Sequence, residues 1–230
     1  MPSRRKFLFL GFLAAAVASP AGAQTPPSER ELRIYAGLHD AAARGDVAEI
    51  EQLIAEGEKP NIQDGSSRTP LHVAAYLRKH AAARALIRLG ANPNALDAER
   101  YDILTIAAVN NDLEMLKIAL DGGGNARAVT SPYDGTALIA AAHRGHLEIV
   151  RALIEAKAPL NHVNNLGWTA LLEAVVLGNG GSNHTAIVEA LVTAGADVNV
   201  PDRHGTTALR HARTRGYSQI ARILENAGGR

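Results

Sequence analysis

Residues Tyr133–His162 read YDGTALIAAAHRGHLEIVRALIEAKAPLNH, and this stretch decides the fold. It begins with a turn over residues 133–135, and a first helix is predicted to begin at Thr136. Gly145 predicts a tight corner, after which a second helix is predicted over Leu147–Glu155. Each helix is short and apolar along one side, so neither could bury that side alone. The stretch therefore predicts a unit that is stable only when it packs against copies of itself.

Such copies lie on both sides of this stretch, and one leucine of the first helix sets their register. This register leucine recurs as Leu38, Leu71, Leu104, Leu138, Leu171 and Leu209. The spacings between successive leucines are 33, 33, 34, 33 and 38 residues. A period near 33 with a turn and two helices in each period predicts a stacked solenoid.

Two motifs in this register resemble those of the ankyrin-repeat family. They are Thr69-Pro70-Leu71-His72 and Gly195-Ala196-Asp197-Val198-Asn199, and the resemblance covers about Glu31 to Gly228. It implies an all-α fold, an ankyrin-repeat solenoid of about six helix-turn-helix repeats with short hairpin-like turns. One repeat domain is expected over residues 31–230, with repeats at about 31–62, 63–95, 96–128, 129–162, 163–200 and 201–230.

The composition fits short, closely packed helices. Hydrophobic residues make up 47% of the chain but aromatic residues only 4%, so Ala, Leu, Val and Ile are expected to build the core. The chain has no cysteine, which excludes disulfides, thiolate catalysis and zinc–cysteine sites.

The first 23 residues predict a cleavable signal peptide. Arg4, Arg5 and Lys6 precede an apolar run over residues 7–18, and Ala21-Gly22-Ala23 is an A-x-A site that predicts cleavage between Ala23 and Gln24. The paired arginines resemble a twin-arginine signal; the alternative is an ordinary secretory signal. Both interpretations predict a periplasmic or secreted protein. Residues 24–30 are predicted to form a flexible linker.

The charge of the processed chain favours a protein partner. Removal of the signal peptide leaves 21 basic and 23 acidic residues, a balance of −2. Nucleic-acid binding needs a clustered positive field, so no nucleic-acid partner is expected. No stable membrane anchor is expected after processing, since the only long apolar run is removed. We expect a monomer that binds another protein.

The sequence offers no catalytic, cofactor or metal site. His39, His72, His146 and His184 recur at fixed repeat positions, and the resemblance implies that such histidines hydrogen-bond neighbouring backbone. No carboxylate stands at a spacing that would complete a metal set with His143 and His146. We therefore predict a protein that is not an enzyme and has no cofactor.

The resemblance also implies where a partner would bind. In ankyrin proteins the turn tips and the ends of the first helices line a concave groove. The matching turn positions are Ser66, Arg68, Glu99, Tyr101, Tyr133, Leu166, Trp168, Arg203 and His204. The matching helix-end positions are Arg44, Tyr76, Leu77, Val109, Asn110, His143, Arg144, Val176, Leu177 and Arg215.

Four aromatic residues on these positions suggest a binding surface. Tyr76, Tyr101, Tyr133 and Trp168 come from different repeats, and exposed aromatics are enriched where proteins bind each other. The alternative is that these rings only pack locally. The glycine-rich insertion at 178–183 is likewise either a tolerated loop or a recognition loop.

The sequence thus predicts an exported, non-enzymatic protein that binds another protein through its concave groove. One alternative is a chaperone or inhibitor of a co-exported protein. The other is a small metal-dependent enzyme, which the absence of a site constellation disfavours.

Overall fold

The computed structural model describes residues 24–230. The predicted signal peptide and its residue Ala23 lie outside the described residues, which begin at Gln24. The described part contains thirteen helices: α1 (Glu29–Ile34), α2 (Gly37–Arg44), α3 (Val47–Ala55), α4 (Pro70–Tyr76), α5 (His80–Arg88), α6 (Ile103–Val109), α7 (Leu113–Asp121), α8 (Ala137–Arg144), α9 (Leu147–Glu155), α10 (Ala170–Val176), α11 (Ser182–Thr193), α12 (Ala208–Thr214) and α13 (Ser218–Asn226). None of these helices is long and apolar enough to cross a membrane.

The helices stack in two layers. The first helices of the repeats (α2, α4, α6, α8, α10 and α12) pack on one another in chain order, and the second helices (α3, α5, α7, α9, α11 and α13) do the same. Each first helix also packs on the second helix of its own repeat. This arrangement confirms the all-α repeat solenoid that the sequence predicts.

The six register leucines lie at the centre of this stack. Each of them is at most 2% exposed. Alanines beside them, such as Ala74, Ala107 and Ala141, are also fully or almost fully buried. Because an alanine side chain is small, neighbouring first helices approach closely and the core needs few aromatic rings.

The first helices begin at polar caps that the sequence supplies. Thr69, Thr136 and Thr169 each accept a hydrogen bond at the side-chain oxygen from the backbone N–H three residues later. In the third repeat Asp102 does the same for the N–H of Thr105, at 2.8 Å. Each cap satisfies a backbone donor that the helix leaves unpaired at its start.

The glycine-rich insertion is packed against the last repeat. The Tyr217 hydroxyl donates to the Gly178 carbonyl at 3.0 Å. Gly180 has a left-handed φ of 68° and lies so close to the Tyr217 ring that a Cβ there would approach within 2.5 Å of it. The insertion is therefore part of the contact between the fifth and sixth repeats.

The segment predicted to be a flexible linker is instead docked on the solenoid. Ser28 caps α1, and Thr25 donates to Glu99 from its backbone nitrogen at 3.1 Å and from its hydroxyl at 2.9 Å. The Pro27 side chain is buried. Two prolines suggested a tether, but they also stiffen the segment, so few conformations are lost when it docks.

Candidate functional site

One polar side chain closes each turn between repeats, seven residues before the register leucine. These residues are Asp64, Asp97, Ser131, Asn164 and Asp202. In every case a side-chain oxygen accepts hydrogen bonds from the backbone N–H groups two and four residues later. For Asp97 the distances are 3.0 Å to Glu99 N and 2.9 Å to Tyr101 N. The turns therefore share one local geometry, which fixes the positions of their tips.

The second carboxylate oxygen of these residues often binds the side chain of a first helix. Asp97 Oδ2 accepts from the Tyr76 hydroxyl at 2.9 Å, and Asp202 Oδ2 pairs with His211 Nε2 at 2.7 Å. Burial, together with the negative charge of Asp97, raises the pKa of Tyr76 well above its usual value. The ring of Tyr76 is held inward by this bond.

The prediction that Tyr76 and Tyr101 are partly exposed is therefore wrong, and Arg68 at its turn position is buried as well. Tyr76 is 8% exposed, Tyr101 4% and Arg68 2%. Burial, with the charge of Glu99 nearby, raises the pKa of Tyr101 to about 12. The Arg68 guanidinium is enclosed by ion pairs to Asp64 and Glu31. Tyr76 and Arg68 are drawn into the turn by these internal partners, and Tyr101 is buried in the hydrophobic core.

The surroundings of Trp168 fit local packing better than binding of a partner. It is partly buried and packs against the hydrophobic core. Its backbone nitrogen donates to Asn164 Oδ1 at 2.9 Å, and its carbonyl accepts from Asn164 N at 3.0 Å. The tryptophan thus belongs mainly to the closure of its own turn.

Backbone hydrogen bonds join neighbouring turns into a row. Ala98 N donates to Ser66 O, Ser131 N to Arg100 O and Asn165 N to Tyr133 O, each at 2.9 Å. The bonds run between the second and third, third and fourth, and fourth and fifth repeats. The turn tips therefore form one continuous edge rather than separate loops.

A cleft lies between this edge and the ends of the first helices, across the third to fifth repeats. We call it the central cleft; its cavity volume is about 80 Å³, and it is open to solvent. Its lining residues are Tyr101, Thr105, Val109, Ser131, Tyr133, Gly135, Thr136, Ile139, Ala140, His143, Arg144, Asn164, Leu166 and Glu173. The walls combine aromatic and aliphatic side chains with a few polar groups, as ligand-binding clefts do.

A buried carboxylate forms the polar floor of the central cleft. Glu173 is 3% exposed, and its two oxygens each accept one hydrogen bond at 3.0 Å, from Asn164 Nδ2 and His143 Nδ1. Asn164 comes from the turn of the same repeat and His143 from the first helix of the preceding one. The carboxylate is thus held in a fixed position by two repeats.

Glu173 was not predicted from the sequence as a residue of the cleft. Glu173 follows its register leucine by two residues, where the second, third and fourth repeats have Val73, Ile106 and Ala140. The first repeat has Asp40 there and the sixth has His211, so this position takes polar as well as apolar residues. Asn164, Thr105 and Ile139 were also missed.

The structure brings some of the predicted groove residues together and leaves others apart. Those that line the central cleft are Tyr101, Val109, Tyr133, His143, Arg144 and Leu166. Ser66, Arg68 and Glu99 surround Thr25 in a second cleft. Tyr76 and Asn110 lie with Val109 and Arg144 beside Gln24 and Pro26. The remaining positions do not line these clefts: Arg44, Leu77, Trp168, Val176, Leu177, Arg203, His204 and Arg215.

The structural role predicted for the four repeat-position histidines is confirmed. His39 binds Arg68 O at 2.8 Å and His72 binds Tyr101 O at 3.1 Å, both in the turn of the next repeat. His146 binds Ala108 O at 2.8 Å, and His184 binds His143 O at 3.3 Å. Residues 24–230 contain no group of three His, Asp or Glu side chains placed to hold a metal ion.

A stack of helix pairs with one continuous edge of turns defines a helical-repeat scaffold. The family model for ankyrin repeats (3 copies) matches residues 38–128 and 104–202. The chain therefore belongs to the ankyrin-repeat family, whose repeats are a general protein–protein interaction module.

Several relatives match most of this chain over most of their own length. The ankyrin repeat protein YahD of Escherichia coli (strain K12) is 36% identical over 189 residues, which is 82% of this chain and 94% of YahD. The crystal structure of an ankyrin repeat domain from Acinetobacter baumannii AYE has a TM-score of 0.81 at 44% identity, and covers 84% of this chain and 98% of that domain. The ankyrin repeat domain of Bcl-3 has a TM-score of 0.77 at 27% identity, over 85% of this chain and 87% of that domain.

Other relatives are much larger proteins. In glycerophosphocholine phosphodiesterase gde1 of Schizosaccharomyces pombe, the match is 31% identical over 129 residues and spans 56% of this chain but 8% of that protein. What is shared with such a protein is the repeat scaffold alone, so its activity does not transfer to this chain.

Proposed function

We propose that this chain is an exported, non-enzymatic ankyrin-repeat protein that binds another protein through the side formed by its turn tips and first-helix ends. The observation that carries the proposal is the central cleft. It has apolar walls, a polar floor and contributions from three successive repeats. Apolar pockets that receive an anchoring side chain are typical of the energetic centre of protein interfaces.

The rim of the central cleft supports the same assignment. Leu166 is 39% exposed at a turn tip, although a leucine is usually buried. Arg144 is exposed beside it and makes no hydrogen bond or ion pair with the described residues that would occupy its guanidinium. Arginine and exposed apolar side chains together are characteristic of binding surfaces.

Affinity purification with matched variants tests the binding surface. The processed protein is immobilised and incubated with a periplasmic extract of its own source. Leu166→Arg and Val109→Arg place a charge in the central cleft, whereas the control Arg151→Ala removes an exposed side chain of α9 in the other layer. A protein retained by the wild type and the control but lost with both cleft variants supports the proposal. A partner that all variants retain equally would contradict it.

Export is proposed on the basis of the first 23 residues. The positive start, the apolar run and the Ala21-Gly22-Ala23 site support it. Intact-mass measurement of the periplasmic protein should show a chain that begins at Gln24. Replacing Arg4 and Arg5 with lysine should block export if the twin-arginine route is used, and unchanged export would favour the ordinary secretory route. A protein that keeps Met1 and stays in the cytoplasm would refute export.

The captured partner also distinguishes the alternative functions. A chaperone would raise the soluble yield of its partner on co-expression, and an inhibitor would lower the activity of its partner in proportion to the amount added. A simple adaptor would do neither.

A further inference from the structure

We propose that the central cleft takes a lysine or arginine side chain of the partner, with the charged end of that side chain at Glu173. The inference rests on the proposed function, because it names the kind of residue that is bound at the same site. It is carried by the position, the surroundings and the remaining hydrogen-bonding capacity of the Glu173 carboxylate.

A carboxylate buried at position 173 lowers the stability of the fold unless it is well paired. In the second and third repeats the same register position holds Val73 and Ile106, which are fully buried, whereas the first and sixth repeats hold Asp40 and His211. An apolar side chain is therefore sufficient there to build a repeat. Burying a carboxylate costs free energy unless it is well paired, so its presence at this position points to a role beyond packing.

The carboxylate is paired but not saturated. Its two oxygens each accept one hydrogen bond, whereas a carboxylate can accept about four. Asn164 is a neutral donor, and no lysine or arginine of the described residues pairs with Glu173. A cationic group that enters the cleft would pair with this carboxylate.

The charge of the surrounding repeats favours the same kind of ligand. Residues 96–200, which include the whole cleft, contain twelve acidic and six basic residues. The resulting negative field raises the local concentration of cations and lowers that of anions. A partner segment with basic residues is thus attracted before it makes contact.

The walls of the cleft suit the stem of a long basic side chain. Val109, Ile139 and Leu166 provide aliphatic surface, and the rings of Tyr101 and Tyr133 complete the wall. Lysine and arginine bury an aliphatic stem along such a surface while the charged head reaches a polar group. Tyrosine rings add a favourable contact with the cation.

Arg144 raises the opposite possibility, an acidic ligand held at the cleft rim. Its guanidinium is exposed, however, and can move on its four-bond stem. Glu173 is buried and fixed by Asn164 and His143, so an acid that entered the cleft would face a like charge that cannot withdraw. The fixed group determines the preference, and we therefore favour the basic side chain.

Three small probes of matched size test the inference on the processed chain by NMR. They are the N-acetyl methylamides of lysine, norleucine and glutamate. The lysine probe should give saturable shifts of the Gly135, Ile139 and His143 amides, and it should bind at least tenfold more tightly than the other two. Equal binding of the norleucine probe, or tighter binding of the glutamate probe, would overturn the inference.

Variants of the carboxylate supply the second part of the test. Glu173→Gln should weaken binding of the lysine probe at least tenfold, and so should Glu173→Ile, which places the residue type of Ile106 at this position and keeps the test valid if the glutamine variant does not fold. The control Glu189→Gln removes an exposed glutamate of α11 and should leave binding unchanged. Unchanged binding in the Glu173 variants would refute the assignment.

The natural partner separates failure of this inference from failure of the proposed function. A partner that Leu166→Arg releases but both Glu173 variants retain would keep the binding surface and refute the basic side chain. A partner that all of these variants retain would refute both.

Discussion

Replacing Asp97 with alanine should destabilise the protein by about 3–5 kcal/mol, because one side chain closes the turn and holds a tyrosine. The carboxylate accepts from the backbone nitrogens of Glu99 and Tyr101 and from the Tyr76 hydroxyl, at 3.0, 2.9 and 2.9 Å. Each such bond contributes about 1 kcal/mol net, and more where the acceptor is charged. The Tyr76 hydroxyl is buried, so its loss of a partner adds about 1–3 kcal/mol.

The matched control is Asp97→Asn, because the chain already uses asparagine at this position in its fifth repeat. Asn164 Oδ1 accepts from Leu166 N and Trp168 N at 3.0 and 2.9 Å. An asparagine at 97 can make the same two bonds, and its amide group can donate to the Tyr76 oxygen. The cost should therefore fall to about 1 kcal/mol.

Urea unfolding followed by circular dichroism measures the free energy of unfolding of both variants. Hydrogen exchange at the Tyr101 amide reports on the stability of the turn itself. Faster exchange at Tyr101 is expected in the alanine variant and not in the asparagine variant. The reasoning is refuted if asparagine costs as much as alanine, or if alanine costs less than about 1 kcal/mol.

Three further predictions concern stability. Leu138→Ala should cost about 2–5 kcal/mol in urea unfolding, because Leu138 is fully buried between two repeats; a smaller loss would show that the neighbouring helices collapse into the space. Ser67→Gly should stabilise by about 1 kcal/mol, since Ser67 has a left-handed φ of 57° at the turn position where the fifth repeat has Gly167; an unchanged or lower midpoint would count against strain there. Burial lowers the pKa of His72 and of His146 below 6.5. As the pH falls, the unfolded chain therefore takes up these protons before the folded chain does. The contribution of these two histidines to stability should be constant above pH 6.5 and fall below it, by at most about 1.4 kcal/mol per pH unit for each histidine. His72→Asn should flatten this fall, and an unchanged pH dependence in that variant would contradict the role of His72.

The repeat architecture could be predicted because its signal is periodic. The register leucines, the threonine caps and the histidine positions recur with the period, so weak local preferences were reinforced by repetition. The start of α9 at Leu147 followed from Gly145. The docking of residues 24–30 could not be predicted in this way, because the contact of Thr25 with Glu99 occurs once and has no repeat to reveal it.

The candidate site was predicted less well, for a physical reason. A helix-end position in the sequence shows which side of the solenoid the backbone faces. It does not show whether the side chain turns inward to hydrogen-bond an internal partner. Tyr76 lies at such a position and turns inward because Asp97 accepts its hydroxyl, although Asp97 is 21 residues away in the chain. The position of Glu173 in the repeat register could be read from the sequence. Its pairing with His143, by contrast, depends on the geometry between two repeats.

The docked segment before α1 changes how the solenoid is expected to fray. In a linear array each end repeat has one neighbour, so the ends open first and at low cost. Here Thr25, which precedes the first repeat, is bonded to Glu99 in the third, and Arg68 of the second repeat donates to its carbonyl at 3.4 Å. Opening the first repeat therefore also strains or breaks a contact two repeats away. The N-terminal repeat should therefore open at a higher cost than a repeat that contacts one neighbour alone.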